Sequence, residues 1–484
     1  MKARNIFQNI SPLDHRYSVS EEKVFHSLTP WISEEASVAA CVKAEIALII
    51  AHLEVRGKLT PDIRKELEKS AASVDIEEVY AEEEKTRHNI RALVNVLVKK
   101  VPAEYASLVH VGATSVDILD TSLSWRMAGV TRNVVLPLLK KLEILLCDFT
   151  KREAETPQVG RTHGQHAVPI TLGFAMAEYV SRLGKSILEI EKRSKDLKGK
   201  LAGAVGAYNA TSMIVKDPEE LERLYLAELG LEPSEHSTQL VEPEYLLRLL
   251  LEFNVAFGII ANLADDLRNL QRSEIGELRE GFGADQVGSS TMPQKRNPWN
   301  SEHVKSLWKA FMPRVNTFFM DQISEHQRDL TNSASQRFIA DYIAGFCLAV
   351  SRMDSVIEGL GADRKRLLSN LRGEGGKTGI PGAVLAEPAY ILLAETGASD
   401  AHEVIRKITL RAEKEKISFA QALAAEQGVL GKIGVKMAEL GIIASEKDAL
   451  SFFEKPEHYC GLAAKKAAAL AQKYRELIGG KYAC

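Results

Sequence analysis

Cysteine is scarce: five residues in 484, at Cys41, Cys147, Cys347, Cys460 and Cys484, far apart and with no Cys-x-x-Cys pair. An odd, scattered set speaks against a disulfide framework or a zinc site and reads as reduced thiols in a cytoplasmic protein. Charge of one sign is also lacking. The formal net charge is −3, so nothing in the bulk electrostatics draws the chain to nucleic acid or to an anionic membrane, and any anion selectivity must be local. The first residues, Met1 to Ser18, contain no apolar run of the kind that follows the charges of a signal peptide. Uninterrupted apolar stretches such as Ala256–Ala261 fall far short of the ~18 residues of a membrane span. Strand signals are few and short, and no fixed-period repeat or low-complexity tract stands out.

What is abundant is helical periodicity. Leu138, Leu142, Leu145 and Phe149 step by three and four with charged residues between them, predicting one amphipathic helix from about Asp117 to about Glu153. Leu172, Met176, Tyr179, Leu183, Ile187 and Ile190 repeat the pattern over a second long stretch, with Pro169 near its start. Tyr245–Arg272 predicts a third, apolar over most of its circumference and so buried on several sides. Further helices are expected near Glu302–Asp321 and Ser335–Glu358. Helices of that length reach ~40 Å, which implies a long bundle. The expectation is an all-α, three-domain, elongated protein with a central long-helix bundle that assembles into a multi-subunit helical core. Breaks around Glu84–Gly112 and Arg372–Gly382 place the boundaries: 1–111 an N-terminal helical domain, 112–365 the bundle, 366–484 a C-terminal helical domain.

The densest chemistry lies between two strong helices. Gly276, Gly281, Gly283 and Gly288 cluster there, too many for a helix and suited to a mobile lid. The stretch ends in Gly288-Ser289-Ser290-Thr291-Met292-Pro293-Gln294-Lys295-Arg296-Asn297-Pro298, dense in hydroxyl, cation and amide. By composition alone it is equally a solvated surface loop.

That run resembles the signature loop of the aspartase/fumarase superfamily, whose members eliminate an amine or hydroxyl to leave fumarate or a related product. The resemblance makes Ser289 the general base, with Ser290 the lesser alternative. Such a serine needs its alkoxide stabilised by backbone N–H groups or a cation, and Lys295 and Asn297 would stabilise the aci-carboxylate formed on proton loss.

An acid must protonate the departing nitrogen. The segment Gly160-Arg161-Thr162-His163-Gly164-Gln165-His166 resembles the Thr-His-Gly element of adenylosuccinate lyases, in which the histidine after threonine is the donor; this implies His163. His163 and His166 could also be read as metal ligands, but no third ligand is suggested nearby. The same resemblance makes Glu302 the carboxylate that orients a histidine, and His110 an outlying supporting residue. Thr114-Ser115-x-Asp117 reads both as a helix N-cap and, by resemblance, as a carboxylate-binding element at a helix start.

Substrate selectivity is implied elsewhere. Arg328 to Arg337, with Ser333 between, resembles that family's nucleotide-phosphate element, and arginine forks suit phosphate oxygens. Arg16-Tyr17, Arg87-His88, Gln239 and Gly203–Ala210 resemble further family elements, so the likeness runs from about 11 to 340. Asn89, His15 and Glu242-Pro243-Glu244 depart from common family residues. The resemblance implies no metal or organic cofactor and a small-molecule substrate. It also implies a homotetramer whose active sites draw on three subunits, with no nucleic acid or membrane partner. Argininosuccinate lyase, a carboxymuconate cycloisomerase or a non-catalytic structural paralogue are the rivals. The arginine element argues against the first two and the intact Ser289, His163 and Lys295 against the third.

Overall fold

A computed structural model describes residues 5–283, 287–374 and 379–479. Cys484, three residues of the glycine-rich stretch (284–286) and the middle of the Arg372–Gly382 break lie outside the described residues. The chain is all-α. Its principal elements are α1 (Glu34–Val55), α2 (Ser115–Val130), α3 (Leu136–Arg152), β1 (Pro157–Thr162), β2 (Gln165–Thr171), α4 (Leu172–Lys195), α5 (Glu244–Leu270), α6 (Trp299–Phe311) and α7 (Ile339–Glu358).

The expected Asp117–Glu153 helix is α2 and α3 joined by a π turn at Thr131–Val135. The turn falls immediately before Pro137, which cannot donate to the ladder and crowds the preceding carbonyl, so the local hydrogen-bond register shifts to accommodate it. One expectation is corrected. Pro169 does not start a helix: it lies in β2, the second strand of a β-hairpin that precedes α4.

Two helical stretches, Glu22–Val55 and Glu244–Leu270, do have the length and mean hydropathy (1.7) of a membrane span, although polar residues interrupt their apolar runs. Of their most apolar windows, 78% and 56% are buried inside the protein, the pattern of helices apolar on several faces within a core.

The backbone divides into two compact units. The first comprises Met1–Lys140, Lys185–Ala261 and Val304–Arg352. Its core packs Leu48 and Ile49 of α1 with Leu97, Leu201 and Tyr225, and it also holds the stacked Phe253–Phe346 pair, centroids 5.5 Å apart. The second comprises Lys141–Gly184, Asn262–His303 and Met353–Cys484. Toward the C-terminus it has a core of its own around Leu385, Phe419, Ile433, Met437 and Phe453.

The second unit also buries an awkward carboxyl. Asp354 is 2% exposed; Oδ1 has no partner among the described residues and Oδ2 lies 3.8 Å from Lys141 Nζ. Burial pushes its pKa up to about 8, with Lys141 opposing. The folded form therefore holds a proton that the unfolded chain releases near pH 4, and stability drains away as pH rises from about 4 through about 8. Asp354→Asn should remove that decline and raise the melting temperature above wild type at about pH 9, and by much less at about pH 5, by calorimetry at both.

Candidate active site

The second unit carries the expected base, its loop and the expected acid. The loop 281–298 is closed at its base by one side chain. Glu280 accepts from the backbone N–H of Asn300 (3.2 Å) and Ser301 (3.0 Å) and from Ser301 Oγ (2.5 Å), so it also supplies the capping carboxylate at the start of α6. Within the loop, Asn297 Nδ2 donates to Gly288 O at 3.1 Å and Lys295 N to Met292 O at 3.0 Å. Gly288 is required by this closure: a Cβ there would stand 2.2 Å from Lys295 O. The Arg296 guanidinium covers the Phe282 ring at 5.1 Å.

Half-buried Ser289 sits at the turn, its Oγ accepting backbone N–H bonds from Thr291 (3.3 Å) and Met292 (3.1 Å). Donors aimed at a hydroxyl oxygen favour its alkoxide. Ser290 and Lys295 are exposed. Asn297, expected to meet the substrate, is instead engaged in holding Gly288 with its amide nitrogen.

His163 sits at the tip of the β1–β2 hairpin. The register pairs Thr162 with Gln165, leaving His163 (φ 53°) and Gly164 (φ 73°) as a two-residue loop. Positive φ at both central positions is the type I′ geometry that matches strand twist, and glycine takes the second position without cost. The tip holds the His163 side chain out in solvent. His166 is half-buried on β2, its pKa lowered by burial and by Arg161.

The hairpin is anchored through Glu277, which is fully buried. Its carboxylate accepts from Arg161 (Nη2 2.5 Å, Nη1 3.0 Å), Gln158 Nε2 (2.8 Å) and Asn370 Nδ2 (2.8 Å). Glu277 and Glu280 are three residues apart, so the acid-bearing hairpin and the base-bearing loop hang from one short stretch of chain. Sequence reasoning named neither carboxylate; a Glu before a glycine-rich stretch carries no distinctive signal. Glu302, expected to orient a histidine, is exposed in the first turn of α6, and no histidine pairs with it among the described residues.

The first unit carries the expected substrate contacts. Thr114 is the N-cap of α2 and Ser115 its first residue, both half-buried. Asp117, expected beside substrate, is instead fully buried: it accepts from Thr114 N (2.7 Å), Ala202 N (3.2 Å), Gly203 N (3.2 Å) and the buried Lys200 ammonium. It fixes the start of α2 against the 200–203 loop, part of the stretch leading into Gly203–Ala210. Lys200 was missed by sequence reasoning.

Arg328 and Gln239, named separately from sequence, are bonded directly, Nη1 to Oε1 at 2.8 Å. Beside them Asp120 accepts from Val241 N at 3.1 Å; burial raises its pKa to about 6, the Val241 bond, Lys200 and Arg328 opposing. Arg337 and Ser333 are exposed further along, as are Arg16 at the start of a short helix and Arg87 and His88 between two helices. Tyr17 is half-buried. His88 Nδ1 caps the helix Asn89–Leu97 by accepting from Arg91 N at 3.2 Å. Half-buried His110 bonds Glu45 through Nδ1 at 2.7 Å.

Solved structures share the fold. The 3-carboxy-cis,cis-muconate lactonizing enzyme of Pseudomonas putida superposes with a TM-score of 0.77 at 23% identity, covering 93% of this chain and 97% of that one. A fumarate lyase of Mesorhizobium sp. BNC1 follows at 0.76 and 20%, covering 93% and 97%. The chain thus shares its fold with these two proteins. A family model described as Lyase matches residues 3–310, and one described as Adenylosuccinate lyase C-terminal matches 324–441. The adenylosuccinate lyase of Pyrococcus horikoshii is 31% identical over 97% of this chain and 98% of its own length; that of Archaeoglobus fulgidus is 29% identical over 97% and 99%. The chain belongs to the adenylosuccinate lyase family. The second match reaches well past residue 340, where the resemblance read from sequence gave out.

Proposed function

We propose that this C–N lyase cleaves succinyl-AMP to AMP and fumarate, and likewise the succinylated aminoimidazole carboxamide ribotide of purine synthesis. Ser289 takes the proton from the succinyl carbon β to the nitrogen. The electron pair left behind spreads into the adjacent carboxylate as an aci-carboxylate, which Lys295 neutralises in part. Collapse forms the C=C bond of fumarate, and the C–N pair leaves on nitrogen, where His163 supplies a proton. The observation that carries this mechanism is the pair of backbone N–H groups on Ser289 Oγ, which makes an alkoxide tenable at a serine. The nucleotide reading is supported by Arg328 held on Gln239, a fork braced to present guanidinium N–H groups to phosphate oxygens.

The remaining parts of the reading are a homotetramer with active sites shared among three subunits, and a cytoplasmic enzyme. Arg16, Tyr17, Arg87, His88, Thr114, Ser115, Ser333 and Arg337 complete the substrate contacts. Purified protein mixed with succinyl-AMP should release AMP and fumarate in equal amounts, followed by fumarate absorbance and nucleotide chromatography. Absence of turnover by the intact chain sinks the reading. Turnover of an unphosphorylated carboxymuconate instead would move the substrate to a rival member of the fold.

A further inference from the structure

His110 is held in an arrangement that its sequence gives no hint of. It is a non-glycine residue at φ 61°, followed by Val111 and by Gly112 at φ 83°, and such left-handed backbone is kept only where the surroundings enforce it. The enforcement comes from α1. Glu45 and His52, seven residues apart and so on one face of that helix, are both fully buried. His52 Nε2 bonds the carbonyl of Val111 at 2.8 Å, and Glu45 Oε1 bonds His110 Nδ1 at 2.7 Å. A helix otherwise lined with Ala, Ile and Leu thus spends two buried polar side chains on the three residues that lead into Thr114, Ser115 and the start of α2.

A buried carboxylate can only accept, so His110 Nδ1 is the protonated nitrogen in this pair. Nε2 has no hydrogen bond among the described residues, and the His110 side chain is 23% exposed. We propose that Glu45 is a positioning residue for the lyase reaction: it fixes the His110 ring and its charge so that Nε2 donates to an anionic oxygen of the substrate beside Thr114 and Ser115. The inference rests on the reading that this helix start binds substrate. Burial alone would lower the His110 pKa, but the Glu45 hydrogen bond and charge outweigh it and the net direction is upward. Of the other charges facing the ring, Asp117 adds to the rise and Arg91 opposes it. An imidazolium, protonated on both nitrogens and held in orientation through Nδ1, is a stronger anion donor than a neutral ring, and the neighbouring helix N-terminus acts in the same sense. Glu45 Oε2 has no hydrogen-bond partner among the described residues, so His110 is the contact this side chain serves there.

The test compares wild type, Glu45→Gln, His110→Asn and the double variant, with KM and kcat for succinyl-AMP measured from about pH 6 to about pH 9. Glu45→Gln keeps the side-chain shape and removes the charge. His110→Asn changes no residue of α1, and asparagine tolerates the left-handed backbone. Each single variant should raise KM about tenfold at neutral pH, the loss of one charge-assisted hydrogen bond, while kcat stays within about twofold. In Glu45→Gln the rise of KM with pH should begin at lower pH than in wild type; in His110→Asn that inflection should vanish. The double variant should be no worse than His110→Asn alone. Additive effects in the double variant, or an unmoved pH profile in Glu45→Gln, overturn the proposal. Calorimetric titration with fumarate and with AMP finds which anion is met: weakened fumarate binding assigns a carboxylate, weakened AMP binding the phosphate, and no change in either overturns it. Because product binding is read without turnover, an inactive wild type would defeat the functional reading while leaving the Glu45–His110 pair still on trial.

Discussion

Ser289→Ala should lower kcat for succinyl-AMP about 10³-fold or more while leaving KM within a few-fold, the signature of a group used only in the transition state. Two backbone N–H groups of the loop converge on this hydroxyl. Removing it leaves those donors in place but nothing to accept the proton, so binding survives and chemistry does not. The loop's closure should persist, because it runs through Asn297, Gly288 and Glu280; the local turn at Thr291 and Met292 loses its side-chain acceptor. His163→Ala should fall by a comparable factor, roughly 10²–10⁴ for a lost general acid. Rates read from fumarate release at saturating substrate decide the matter. Undiminished turnover in both variants defeats the mechanism, and a dead Ser290→Ala beside an active Ser289→Ala would transfer the base to its neighbour.

The long helices and the loop were legible in the sequence for different reasons. Leu138, Leu142, Leu145 and Phe149 announce a helix because one face of it is buried, and periodicity records burial. The loop was legible because eleven consecutive residues carry their chemistry locally. What escaped were features that depend on partners distant in the chain. The hairpin 157–171 contains Pro157, Gly160 and Pro169 with mixed polarity, so neither strand alternates cleanly and only the pairing itself defines them. Asp117 reads as a helix cap from its neighbours, and it is one; that it is also sealed from solvent depends on Lys200, 83 residues along. Glu45 and His52 interrupt an apolar run in α1, where charge is normally taken as a sign of an exposed edge. Their burial follows from the 110–112 segment packing over them, which no window of sequence contains. Glu302, chosen by resemblance to sit beside a histidine, stands exposed instead, while a carboxylate–histidine pair is formed by Glu45 and His110.

Glu277→Ala should destabilise the fold by about 3–5 kcal/mol, the range for breaking a buried ion pair from one side. The loss is not mainly that of the Arg161 attraction. Four N–H donors from Arg161, Gln158 and Asn370 converge on this carboxylate, and the Arg161 side chain is only 18% exposed. Alanine leaves a largely buried guanidinium with no counter-charge and the Gln158 amide without its acceptor, each costing its own desolvation, while Asn370 keeps only its bond to the Ile275 carbonyl. Glu277→Gln should cost less, since it keeps an acceptor and the side-chain volume but loses the charge and turns two donors toward other donors. Activity should follow the same order for a geometric reason. Arg161 lies two residues before His163, and Glu277 three before Glu280, so slackening this carboxylate loosens the hairpin that carries the acid and the base of the loop that carries Ser289 together. A misplacement of about 1 Å in such groups can cost about 10²-fold in rate. Urea unfolding and steady-state kinetics on the two variants check both halves. A Glu277→Ala protein as stable and as active as wild type would mean that the hairpin is held by its backbone pairing alone.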